Sequence, residues 1–201
     1  MKTKRLFIFS AIFLTGFSIL VAINSLSSKN YRFKGSEINP PADTYDITLV
    51  NAAGKEFRLS EQTGKVVLIF FGFTHCTDIC PTTLARYREI YDRLGDQSES
   101  VRFVYITVDP ERDTPEIMDG YTKGFNPDFI GLSGTEVDLL PIYQYYGVFR
   151  EKQEILSASD YEMNHTSVTF VIDKQGKWRL TFPYELGVDE MLSDVIQLVN
   201  E

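Results

Sequence analysis

The run Lys65 to Phe73 (KVVLIFFGF) has no polar side chain after its first residue. Such a run predicts a strand buried on both faces, the kind found inside a sheet covered by helices. Val101 to Val108 (VRFVYITV) predicts a second. Between them Pro81 suits the first turn of a helix. Leu84, Tyr87, Ile90, Tyr91 and Leu94 follow at helical spacing, and Gly95 ends the element. The chain is therefore expected to alternate strand and helix around a parallel sheet.

The remaining elements extend that order. Asp46–Val50 and Glu56–Leu59 flank Ala53-Gly54 and read as a hairpin. Thr114 caps a helix that opens with Pro115-Glu116. Phe129–Leu132 is a short strand, and Thr135–Tyr146 a helix interrupted near Pro141. Ser167–Asp173, the turn 174–177 and Trp178–Phe182 form a second hairpin, and Val188–Val199 a closing helix. This order predicts an α/β, thioredoxin-like fold with an N-terminal β-hairpin and a middle insertion. Ligands in such sheets gather at the carboxyl ends of parallel strands.

At that end of the Lys65–Phe73 strand stand both cysteines of the 201-residue chain, Cys76 and Cys80, and one of its two histidines, His75. The other histidine is His165. A disulfide between the cysteines would close a loop of about five residues, worth only about 2 kcal/mol, so a mere staple is a poor reading. Cys80 precedes Pro81 at a helix N-terminus, where the helix dipole lowers a thiol pKa and favours the anion. Two thiolates on one loop can face one ion. Soft thiolates select Cu(I), imidazole suits copper in either state, and zinc accepts the same ligands. His165 precedes the strand Ser167–Asp173, where thioredoxin-like folds usually carry a cis-proline facing the cysteine loop. No proline lies between Pro141 and Pro183. A plain hydrogen-bonded histidine is the alternative reading for His165. Strand alternation can turn His75 away from an ion.

The N-terminus differs from the rest. Positions 1–5 are basic, and Leu6–Ile23 runs 18 residues without charge or proline. As a helix it spans about 27 Å, close to a bilayer core. Val21-Ala22-Ile23-Asn24 is a poor cleavage site, so the expected layout is a cytoplasmic tail (1–5), an uncleaved signal anchor (6–23), a polar tether (24–44) and a folded domain (45–201). Four of the 20 basic residues and none of the 28 acidic ones fall in the first thirty positions. The remainder, 16 basic against 28 acidic, repels nucleic acid and favours a cation or a cationic protein.

Four blocks, in order, resemble one family. They are Gly72-Phe73-Thr74-His75-Cys76-x-Asp78-Ile79-Cys80-Pro81, Val108-Asp109-Pro110-Glu111-Arg112-Asp113-Thr114-Pro115-Glu116, Phe129–Gly134, and His165-Thr166 followed by Phe170-Val171-Ile172-Asp173 and Gly176. They are similar to the Sco/SenC proteins, copper-binding assembly factors of cytochrome c oxidase. The resemblance implies Cys76, Cys80 and His165 as ligands of copper, Cu(I) or Cu(II). It implies delivery to the binuclear copper site of oxidase subunit II, with a copper donor chaperone as a further partner. The expected anchor agrees with that family, and without an Arg- and Ser-rich transit peptide the chain reads as a single-pass protein of the bacterial inner membrane, its domain on the extracytoplasmic face. Thr77 and Asn164 depart from the family's proline and aspartate. Asp78 and Asp109 read equally as a helix-start residue and a solvated loop acid, or as groups supporting the site. The competing function is a thiol-disulfide oxidoreductase whose catalytic pair is Cys76 and Cys80: Cys76 attacks the target disulfide and Cys80 resolves. A peroxidase is a third reading, disfavoured because Phe73 stands where peroxidatic loops have proline.

Overall fold

In the computed structural model the structure describes residues 31–157 and 160–201. The expected tail and anchor, 1–5 and 6–23, lie outside the described residues. No helix among the described residues is long and apolar enough to cross a membrane.

A six-stranded sheet runs in the order β1-β10-β9-β4-β5-β6. Its centre is β4 (Val66–Gly72), every residue of which is buried. β5 (Val101–Thr107) pairs parallel to β4, and β6 (Ile130–Leu132) parallel to β5. On the other side β9 (Thr169–Ile172) pairs antiparallel to β4, followed by β10 (Trp178–Phe182) and β1 (Ser36–Ala42), both antiparallel. The short hairpin β2–β3 (Thr48–Val50, Glu56–Arg58) forms a separate ribbon.

Strand alternation sends β4 side chains to two faces. On one face Phe70 lies against Tyr105 of β5, and Tyr87 of α1 (Ile79–Leu94) packs on Phe103. α4 (Val188–Asn200) contacts α1, and Tyr121 of α2 (Pro115–Lys123) meets Tyr105. On the other face Phe71 meets Tyr143 and Tyr146 of α3 (Glu136–Tyr146) and Phe170 of β9. The thioredoxin-like order expected from the sequence is thus present.

Three differences have physical reasons. Residues 36–42, assigned by composition to the tether, form edge strand β1. An edge position tolerates Pro40-Pro41, and the pairing with β10 is irregular between Glu37 and Ala42. α3 is not interrupted at Pro141. A mid-helix proline costs about 3 kcal/mol, but burial of Leu139, Ile142, Tyr143 and Tyr146 holds this helix together. A capping box of Thr135 and Asp138 sets its start, and Gly147 in the left-handed region ends it. Finally, the middle insertion is a polar hairpin, β7 (Arg150–Ser157) and β8 (Asp160–His165), paired antiparallel outside the main sheet. Its many charged residues hide any alternation, so no strand was expected there.

Candidate metal centre

The carboxyl end of β4 leads directly into the cysteine loop, and α1 begins at Ile79, which makes Cys80 its second residue and Pro81 its third. Asp78 holds the N-cap position, but its side chain caps nothing and is exposed. Cys80 is fully buried and Cys76 half-buried, and both are free thiols. Gly72 is required by close approach. A Cβ there would stand 2.9 Å from Cys80 Sγ and against the Tyr105 hydroxyl. That hydroxyl donates to the Phe73 carbonyl at 3.0 Å, fixing the start of the loop.

The structure places His165 at the end of β8, with Nε2 3.7 Å from Cys80 Sγ. Its Nδ1 lies 2.9 Å from the Thr166 carbonyl oxygen. A carbonyl only accepts, so Nδ1 carries a proton, and Nε2 is the ring nitrogen turned toward the sulfur. Phe70 and Phe73 wall the imidazole, both edge-to-face, at 6.1 and 5.7 Å. The histidine ending the insertion therefore faces the cysteine loop, where the missing proline placed it. His75 does not take part. It is exposed, with Nδ1 3.2 Å from Thr74 Oγ1.

The two sulfurs are electrostatically unequal. Cys76 is lowered to about 4 from an ordinary value of 9.0, chiefly because the Cys80 thiol donates to its sulfur; burial opposes this, and His165 and the backbone N–H groups of Asp78 and Cys80 assist. The Cys80 N–H lies 3.4 Å from Cys76 Sγ. Cys80 is pushed up, first by that same hydrogen bond and then by burial. The helix N-terminus thus favours an anion as expected, but on Cys76, which receives its N–H groups, and not on Cys80, which sits inside the first turn. As placed, no three His, Cys, Asp or Glu side chains among the described residues are gathered closely enough to hold a metal ion.

Asp109 is not a solvated loop acid. It is buried, pairs with Arg112 at 2.5 Å and accepts from the Tyr161 hydroxyl at 2.6 Å. Sequence reasoning also missed Asp113, fully buried, whose carboxylate accepts from Thr74. A usable signal was the density of polar residues in Thr107–Thr114 directly after a buried strand.

A thioredoxin-like sheet with a dithiol at a helix start, and an imidazole where a cis-proline would stand, defines a dithiol protein equipped for soft-metal or disulfide chemistry. The chain belongs to the SCO1/SenC family, whose model matches residues 37–200. It is 34% identical over 197 residues to a SCO2-like protein of Rickettsia prowazekii, covering 94% of each. Apo Sco1 of Thermus thermophilus superposes with TM-score 0.76 at 37% identity, covering 84% of this chain and 98% of that one. Copper-bound ScoI of Bradyrhizobium japonicum superposes with TM-score 0.72 at 33% identity, covering 78% and 99%.

Proposed function

We propose that this protein binds copper through Cys76, Cys80 and His165 and passes it to the binuclear copper site of cytochrome c oxidase subunit II, acting from the extracytoplasmic face of a bacterial membrane. The observation that carries the reading is the Nε2 of His165 aimed at Cys80 Sγ at 3.7 Å. At that separation the imidazole nitrogen and the sulfur would both be within reach of one ion. Cys76 completes the set, and its low pKa supplies a thiolate without competition from protons. Soft thiolates with one imidazole suit copper through both oxidation states. Copper-bound relatives with this fold support the choice of metal. The apolar segment 6–23 supplies the anchor.

The unequal thiols favour a second role at the same site, reduction of the target's cysteines before metallation. The Cys76 thiolate attacks one sulfur of the target disulfide, and the leaving sulfur takes a proton. Cys80, giving up its proton, then attacks Cys76 in the mixed disulfide. The products are a Cys76–Cys80 disulfide and a target dithiol.

His165→Ala separates the two roles. Copper bound per chain is expected to fall from one to near zero, while reduction of the oxidised subunit continues. Full copper binding by this variant rules out the three-ligand site. In Cys76→Ser, the thiolate-to-Cu(II) absorption band and the reductase activity are both expected to vanish.

A further inference from the structure

The residues after β5 link the two halves of the site. Asp113 Oδ2 accepts from the Thr74 N–H at 3.1 Å and from Thr107 Oγ1 at 2.8 Å, and Oδ1 accepts from Thr74 Oγ1 at 2.5 Å. Thr74 stands two residues before Cys76. Asp109 Oδ1 accepts from the Tyr161 hydroxyl at 2.6 Å. Arg112, paired with Asp109, donates from Nη1 to the Tyr161 carbonyl at 3.0 Å and lies 3.6 Å over the Tyr161 ring. Tyr161 is four residues before His165 on β8, on the same face of the strand. Thr107 joins the two arms, because its Oγ1 also accepts the Asp109 N–H at 2.8 Å. A further tie comes from Arg150, the partner of His165 in the β7–β8 ladder, which donates from Nη1 to the Val108 carbonyl at 3.1 Å.

We infer that Thr107, Asp109, Arg112 and Asp113 form a positioning brace that sets the distance between the cysteine loop and the histidine hairpin. This inference rests on the three-ligand reading. β7–β8 forms its own two-stranded sheet, so the main-sheet ladder does not fix where His165 sits. A carboxylate buried at Asp113 without a cation touching it is costly unless its lone pairs are filled. Here all of its donors come from the strand end and from the loop that carries the sulfurs. A packing role alone would be served by an apolar residue. Directed hydrogen bonds fix separations, and groups that orient metal ligands typically change metal affinity about 10- to 100-fold when removed.

The test uses the full chain with Tyr161→Phe, which removes one hydroxyl and keeps the ring on Arg112, and Asp113→Asn, which loosens the other arm. Both are checked for folding by circular dichroism and urea midpoint. Each folded variant is expected to keep one copper per chain, to lose about tenfold in copper affinity, and to show a shifted thiolate-to-Cu(II) band. In the metal-free chain, the nuclear Overhauser contact between the His165 ring and the Cys80 β-protons is expected to weaken. A folded Tyr161→Phe with the unaltered affinity, band and contact overturns the brace. Should Asp113→Asn not fold, Tyr161→Phe decides. If the unaltered chain binds no copper, the metal-free contact still decides, and only the three-ligand reading falls.

Discussion

Cys76 and Cys80 ride on a loop whose two ends are the fully buried strand β4 and the start of helix α1, whereas His165 ends a hairpin that pairs only with itself. The sulfur side is rooted in apolar packing: Phe70, Phe71 and Phe73 are all within 1% of complete burial. The nitrogen side is rooted in polar contacts through Tyr161, Arg112 and Arg150. Packing is strong but nondirectional, and hydrogen bonds are weak but fix geometry. The two halves should therefore respond differently to change. Damage under the sulfurs should cost the fold, while damage under the histidine should cost the site.

The largest contrast concerns the thiols. The rate of alkylation at Cys76 is expected to titrate with a midpoint about 4, against 9.0 for an ordinary cysteine. Because Cys80 is the leading cause and His165 a lesser one, Cys80→Ala should raise the midpoint further than His165→Ala. The reverse order would break the comparison. The sign for stability follows. A thiol with a lowered folded pKa contributes fully above its unfolded value near 9.0, and the contribution fades as pH falls towards about 4.

Next in size is Phe71→Ala. Phe71 is fully buried against Tyr143, Tyr146 and Phe170, and its truncation should cost about 3–5 kcal/mol in urea unfolding. Gly72→Ala should cost about 1–3 kcal/mol by overpacking and should also displace Cys80, which copper affinity reports. A Gly72→Ala chain with unaltered stability and affinity would mean that the loop is not wedged against Tyr105. The smallest effect is expected for Thr135→Ala. It removes the α3 capping box and should cost about 1 kcal/mol in urea unfolding.

Much of the sulfur side was legible in the chain. KVVLIFFGF announces a doubly buried strand because a continuous apolar run has few other stable homes, and Pro81 with the helical spacing of Leu84 to Leu94 announces the helix that follows. Local pattern and local chemistry coincide there. The histidine side was legible only as an expectation about where His165 would fall. Its hairpin carries the polar sequence REKQEILS, whose strand character comes from cross-strand pairing and not from its own pattern. Residues 36–42 escaped for the same reason, since a proline-containing strand is tolerated only because it lies at an edge.

By itself the sequence determined the central strands of the sheet, the helices, the four-residue spacing of the two sulfurs and the type of chemistry available, because these depend on neighbours along the chain. Only the tertiary structure decided that Cys76 and not Cys80 is the anion, that Nε2 of His165 faces Cys80, and that Asp109 and Asp113 are buried between the two halves. The last two depend on contacts between residues 39 to 85 positions apart, and the first on how the loop folds Cys80 back against Cys76, where burial and donor direction, not residue type, set the charge and the geometry.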